Sequence, residues 1–282
     1  MKIKTIFHGC CSTGMAGVLF LWCTGCDEPS VTVPSMPVIE GYISSEGYPS
    51  VLFSSSVVPG TDGNFSESVI NWGKVSVSDG KREVILTGRV DDTYMPPFRY
   101  YSFDLIGEPG NTYTVRADYK QFHAESSCTM PYPTTIDSIT LAETEVDSLR
   151  AASLHFTAPD DVPAYYYLTM NDNDRHSHPQ PCMLGTFKAE TPSSHCIVAV
   201  WKPKSKIESV KYVPQLRIGD EVTVHLNRVP EEVYNFWNAY DNMIMFSTSP
   251  FISTDAALPT NIKNGLGIWC VQATSSLALT VK

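Results

Sequence analysis

Long hydrophobic runs are scarce in this chain of 282 residues: the most apolar one, from Met15 to Trp22, falls well short of the roughly 20 residues a membrane-spanning helix needs. An excess of positive charge is missing as well. Lys and Arg number 20 against 30 Asp and Glu, a net charge of −10, and no basic run carries interleaved aromatics. Nucleic-acid binding draws most of its affinity from cations that neutralise phosphates, so this composition argues against it. Reactive motifs are lacking too. There is no Gly-x-Ser-x-Gly elbow, no His-Glu-x-x-His, no phosphate-binding glycine loop and no dinucleotide fingerprint. No catalytic residue and no cofactor is therefore assigned, and the chain is expected not to be an enzyme.

What the chain does have begins at its start. Lys2 and Lys4 precede the apolar residues Met15, Ala16, Val18, Leu19, Phe20, Leu21 and Trp22, and small residues Thr24 and Gly25 stand before Cys26. That order is the layout of a bacterial lipoprotein signal. Residues 1–25 are expected to be a signal peptide, with Cys26 lipidated as the membrane anchor. Residues 26–37 contain Pro29, Pro34 and Pro37 and read as an extended tether, because proline fixes φ and prevents a compact helix. An envelope location is oxidising and favours disulfides. Cys182 and Cys196 flank one local excursion and are the expected bridge, while Cys128 and Cys270 are left either paired or as buried thiols.

From residue 38 onward, short apolar or alternating runs are separated by turn residues. Runs over 38–43, 50–58, 69–77, 83–86, 100–105, 113–117 and 123–130 are parted by Pro59-Gly60, Asp79-Gly80, Asp91-Asp92 and Pro109-Gly110. The alternation of 75–78 and 83–86 around Asp79-Gly80 predicts a β-hairpin. Pro131-Tyr132-Pro133 reads as a boundary, and strands are predicted again over 136–141, 152–156, 164–170, 196–201 and 221–226. The fold class is thus mainly β. Two immunoglobulin-like β-sandwich domains are expected, over 38–133 and 134–282. The second carries one amphipathic helix: Pro230, Glu231 and Glu232 suit a helix start, and Val233, Phe236, Trp237, Tyr240 and Ile244 form one stripe. The glycines of 265–267 predict a bulge or a close backbone approach in a terminal strand.

Residues 171–195 read as a long polar loop, the kind of insertion that tends to be functional. His176 and His178 lie in it, with His195 at its end and Asp172 and Asp174 nearby. Imidazoles suit zinc or copper, so His176, His178 and His195 are the candidate metal ligands and would support an alternative reading as a metal-dependent envelope enzyme. A cell-surface adhesin is a further alternative.

Several short motifs carry a resemblance. They are Val38-Ile39-Glu40-Gly41 with Gly47-Tyr48-Pro49, Gly110-Asn111-Thr112-Tyr113, Ile136-Asp137-Ser138-Ile139, Gly219-Asp220-Glu221-Val222, Val233-Tyr234-Asn235-Phe236-Trp237, and 259–268 from Pro259-Thr260-Asn261 to Gly267-Ile268. In their order and spacing the chain resembles a family of Bacteroidetes outer-membrane lipoproteins known only as a domain of unknown function, whose genes commonly lie beside TonB-dependent receptors. The family tends to have two glycines at 264–265, where this chain has Asn264-Gly265, and a small residue at Cys270. The resemblance implies a lipid-anchored, non-catalytic accessory or binding protein of the outer membrane, with a TonB-dependent receptor as partner. Asp27 and Glu28, next to Cys26, resemble the surface-export signals of such lipoproteins and imply a body exposed at the cell surface.

Overall fold

The computed structural model describes residues 35–57, 65–172, 178–204, 212–246 and 258–282. In chain order its strands are β1 (Pro37–Ser44), β2 (Gly47–Ser55), β3 (Lys74–Ser78), β4 (Glu83–Ile85), β5 (Thr87–Val90), β6 (Phe98–Tyr101), β7 (Thr112–Tyr119), β8 (Phe122–Thr129), β9 (Ile136–Glu143), β10 (Leu149–Thr157), β11 (Ala164–Asp172), β12 (Gln180–Ala189), β13 (His195–Val200), β14 (Leu216–Arg217), β15 (Glu221–Val229) and β16 (Leu266–Thr280). The helix α1 (Glu231–Phe246) lies between the last two strands. The fold is mainly β, with one α-helix and several sheets, none closed into a barrel, among the described residues.

An eight-stranded sheet, ordered β12-β11-β15-β16-β1-β2-β6-β5, forms the backbone of residues 35–282. One face covers two hydrophobic cores. Ile39, Ile43, Val51, Phe53, Trp269 and Val271 meet Val75, Val77, Val115 and Ala117 of the sheet β4-β3-β7-β8. Tyr166, Leu168, Val224 and Leu226 meet Leu154, Phe156 and Val200 of the sheet built on β9, β10, β13 and β14. The Asp79-Gly80 hairpin forms as its sequence predicts: β3 and β4 pair with Val77 opposite Val84, Asp79 Oδ1 accepts the Lys81 and Arg82 N–H groups at 2.9 Å, and Gly80 has φ +83°.

Strand β16 joins the two cores. Its first half, Leu266 to Gln272, pairs in parallel with β1, and its second half, Ala273 to Thr280, pairs antiparallel with β15. The sheet therefore runs straight through the chain position at which Pro131–Pro133 suggests a boundary, and Trp269 and Val271, far beyond that position, are buried in the first core. Asn261 fixes the strand's entry: its side-chain amide donates to the Trp269 carbonyl at 2.9 Å and its oxygen accepts the Trp269 N–H at 2.9 Å. Gly267 supplies the close approach. At φ +98°, a Cβ there would lie 2.0 Å from the Ile39 carbonyl oxygen.

Two elements depart from the sequence reading. The segment 171–195 is not one loop: Asn171 and Asp172 end β11, and Gln180–Ala189 form β12, an edge strand paired to β11 from Ala164↔Ala189 to Met170↔Gln180. Its signal is masked by the polar residues before it and by an irregularity in pairing, where Leu184 has φ +50°. The predicted strand over 69–77 also shortens, to Lys74–Ser78. Gly73 lies too close to Phe53 for a side chain, with a Cβ contact of 2.8 Å.

Candidate functional site

Alternation along β1 decides what the second face of the large sheet carries. Ile39, Gly41 and Ile43 point into the core, so Glu40 and Tyr42 point away from it. The register sets Glu40 beside Leu52 and Ile268, and Tyr42 beside Ser50 and Cys270. Ser50 lies opposite Tyr101, so β6 contributes Arg99 and Tyr101 to the same face.

The connection between β5 and β6 folds over this face and places Tyr94 on it. The Tyr94 ring stacks on His178, with centroids 3.8 Å apart, and the Arg99 guanidinium carbon lies 4.2 Å from the ring centroid, a cation–π contact. Arg99 is only 6% exposed and donates to Glu40 twice, at 2.9 Å to Oε1 and 3.3 Å to the main-chain carbonyl. Burial opposes its charge, but Glu40 outweighs that and holds its pKa above the usual arginine value. Tyr42 and Tyr94 share a hydrogen bond of 3.0 Å. Tyr101 donates to Asp91 Oδ2 at 2.7 Å, and Thr93 donates its hydroxyl to Asp91 Oδ1 at 2.5 Å. The Thr93 and then the Tyr101 hydrogen bond keep the Asp91 carboxylate below its ordinary pKa. Burial raises the pKa of Tyr94 and Tyr101 well above that of free phenol.

Helix α1 covers the neighbouring part of this face. Val233 is fully buried with Ile268, Cys270 and Tyr167, and the Trp237 ring stacks on Tyr167 at 5.2 Å and 11°. Asp241 ties the helix to β12 by accepting the Thr186 hydroxyl at 2.8 Å and its N–H at 3.2 Å. Beneath the helix lies a closed polar network. Tyr167 donates to Gln272 Oε1, Gln272 donates to Asn227 Oδ1 at 3.0 Å, and the Thr274 hydroxyl reaches the same oxygen at 2.8 Å. Asn227 also donates to the Tyr167 carbonyl at 3.2 Å and to Thr169 at 3.1 Å. A satisfied buried network of this kind specifies packing rather than reactivity.

Cys26 and His176 lie outside the described residues. Cys128, Cys182, Cys196 and Cys270 are free thiols, so the bridge expected between Cys182 and Cys196 is not made. Cys182 is buried in β12, whereas Cys196 lies in β13 opposite Phe156. Burial pushes the Cys270 thiol up to about 12 and raises Cys128 and Cys182 as well, which keeps all three in the unreactive protonated form. His178 and His195 have different neighbours: the first, just before β12, stacks on Tyr94, and the second, at the start of β13, meets His155. No group of three or more His, Cys, Asp or Glu side chains suited to a metal occurs among the described residues.

An open cleft of about 230 Å³ on the β7–β8 side is lined by Arg116, Asp118, His123, Glu125 and Lys263. Four of its groups pair with one another, Arg116 with Glu125 at 2.6 Å and His123 with Asp118 at 2.7 Å. Sequence reasoning overlooked Glu40, Tyr42, Tyr94 and Arg99. The available signal was Glu40 and Tyr42 alternating with Ile39, Gly41 and Ile43, which marks a strand with a second, polar face.

A family model described as "Domain of unknown function (DUF4249)" matches residues 28–277. No curated protein matches the chain.

Proposed function

The chain belongs to the DUF4249 family, and we propose that it is a lipid-anchored accessory or binding protein of an outer-membrane transport system, with no catalytic step of its own. The observation that carries this reading is the tyrosine-rich second face of the large sheet. Tyr94 and Tyr101 offer phenols that burial and hydrogen bonding keep neutral, with Tyr42 hydrogen-bonded to Tyr94, beside the fixed Arg99–Glu40 pair. Neutral phenols, stacked rings and a locked guanidinium recognise a partner through shape, stacking and directed hydrogen bonds; they make poor bases and poor nucleophiles.

Met95, next to Tyr94, is 80% exposed and puts an apolar side chain at the rim, the arrangement of an anchor beside a polar platform. In this reading residues 1–25 are removed, Cys26 carries the lipid and the tether of 26–37 holds the body outward at the surface of a Bacteroidetes cell. The two cores are two immunoglobulin-like sandwiches fused through β16, and the partner is a TonB-dependent receptor. Affinity isolation of the lipidated protein from detergent-solubilised outer membranes tests it. Recovery of such a receptor in near-equal amount is the expected outcome, and an isolate free of any transport protein would refute it.

A further inference from the structure

On the outer face of the sheet built on β10, two histidines from neighbouring strands meet. His155 on β10 and His195 on β13 occupy diagonal positions, since the register pairs Thr157 with His195 and His155 with Ile197. Their rings lie 25° from parallel with centroids 5.4 Å apart, and His155 Nδ1 is 3.3 Å from His195 Nε2. His155 Nε2 is held by the Thr140 hydroxyl of β9 at 2.8 Å. His195 is exposed and His155 half-buried, so solvent reaches the pair.

We propose that His155 and His195 form a two-imidazole chelate for a borderline divalent cation of the copper, nickel and zinc class, with water completing the coordination. Three features support it. Two nitrogens each about 2.0–2.1 Å from one cation at a tetrahedral angle stand roughly 3.3–3.4 Å apart, and the observed spacing fits that bite. In the tautomer whose Nε2–H donates to Thr140, His155 Nδ1 presents its lone pair toward His195; a ligating histidine characteristically gives its other ring N–H to such a partner. Adjacent antiparallel strands supply the rigidity, because both backbones are fixed by the β10–β13 ladder. The site is separate from the tyrosine face and from His178, which stacks on Tyr94.

Titration of the purified full chain with Ni²⁺ alone, a probe that does not oxidise cysteine thiols, followed by calorimetry, tests the assignment. The wild type is expected to bind one ion that His155→Ala and His195→Ala each weaken at least tenfold. Thr140→Val, which touches no cation, is expected to weaken it about tenfold by releasing the His155 ring. The joint replacement of His176 and His178 by Ala should leave this binding unchanged. Unaltered circular dichroism of each variant guards against misfolding. Absence of nickel binding in the wild type, or binding lost in the 176/178 variant and kept in His155→Ala, would overturn the proposal.

Discussion

Gly267 shows how one residue can be fixed by two constraints together. Its φ of +98° disfavours any L side chain, and an added Cβ would meet the Ile39 carbonyl oxygen at 2.0 Å, a backbone atom that cannot turn away. Gly80 has a similar φ of +83° but nothing within 4 Å of an added Cβ. Gly80→Ala is therefore expected to cost about 1–2 kcal/mol, the conformational term alone. Gly267→Ala is expected to exceed about 4 kcal/mol, because β1 and β16 must part to admit the methyl group. Urea denaturation of the two variants separates the contributions; equal losses would show that the clash at Gly267 relaxes freely. Both positions could be read from sequence, since Asp79-Gly80 is local turn chemistry and a glycine cluster in a terminal strand signals close approach. The Arg99–Glu40 pair could not, because the partners are 59 residues apart and only the register brings them together.

Among the elements, α1 is the one whose sequence pattern maps most directly onto contacts. Val233 and Ile244 of its apolar stripe are buried, Trp237 stacks on Tyr167, and Glu231 and Glu232 occupy its first turn. The stripe foretold a packed face but not the buried polar network that lies beside the apolar contacts of Val233. Removing the indole uncovers that network and leaves Tyr167 without its stacked neighbour. Trp237→Ala is expected to lose about 2–3 kcal/mol, less than a fully buried tryptophan because the ring is half-exposed. Near-ultraviolet circular dichroism should lose the Tyr167–Trp237 signature while the far-ultraviolet β signal stays. A variant as stable as wild type would mean that the helix is held by Val233 and Asp241 alone. Strand β12 was illegible for the opposite reason: Asn171 to Pro181 is dominated by turn-forming and charged residues, and the irregularity near Leu184 breaks the period-2 pattern that marks a strand.

At the scale of the whole molecule, β16 makes one cooperative body of two cores. Its first half is buried with Ile39 and Val75, its second with Val222 and Leu226, and no turn intervenes between Leu266 and Thr280. Calorimetric melting is expected to give a single transition with matching calorimetric and van't Hoff enthalpies. Two resolved peaks would show that the cores unfold apart and that the continuous strand couples them weakly. This coupling was hidden from the sequence because parallel pairing of β1 with β16 joins residues more than 200 positions apart, whereas Pro131-Tyr132-Pro133 is a conspicuous local break.

The claim that the tyrosine-rich face is where this protein meets its transport partner has a direct test in intact cells. A photo-crosslinking residue replaces Met95, 80% exposed beside Tyr94, and in a second strain it replaces Ile197, 61% exposed on the outer face of β13. Illumination is expected to join the Met95 variant to a TonB-dependent receptor and to leave the Ile197 variant without that adduct. No receptor adduct from position 95, or equal adducts from both positions, would contradict the account.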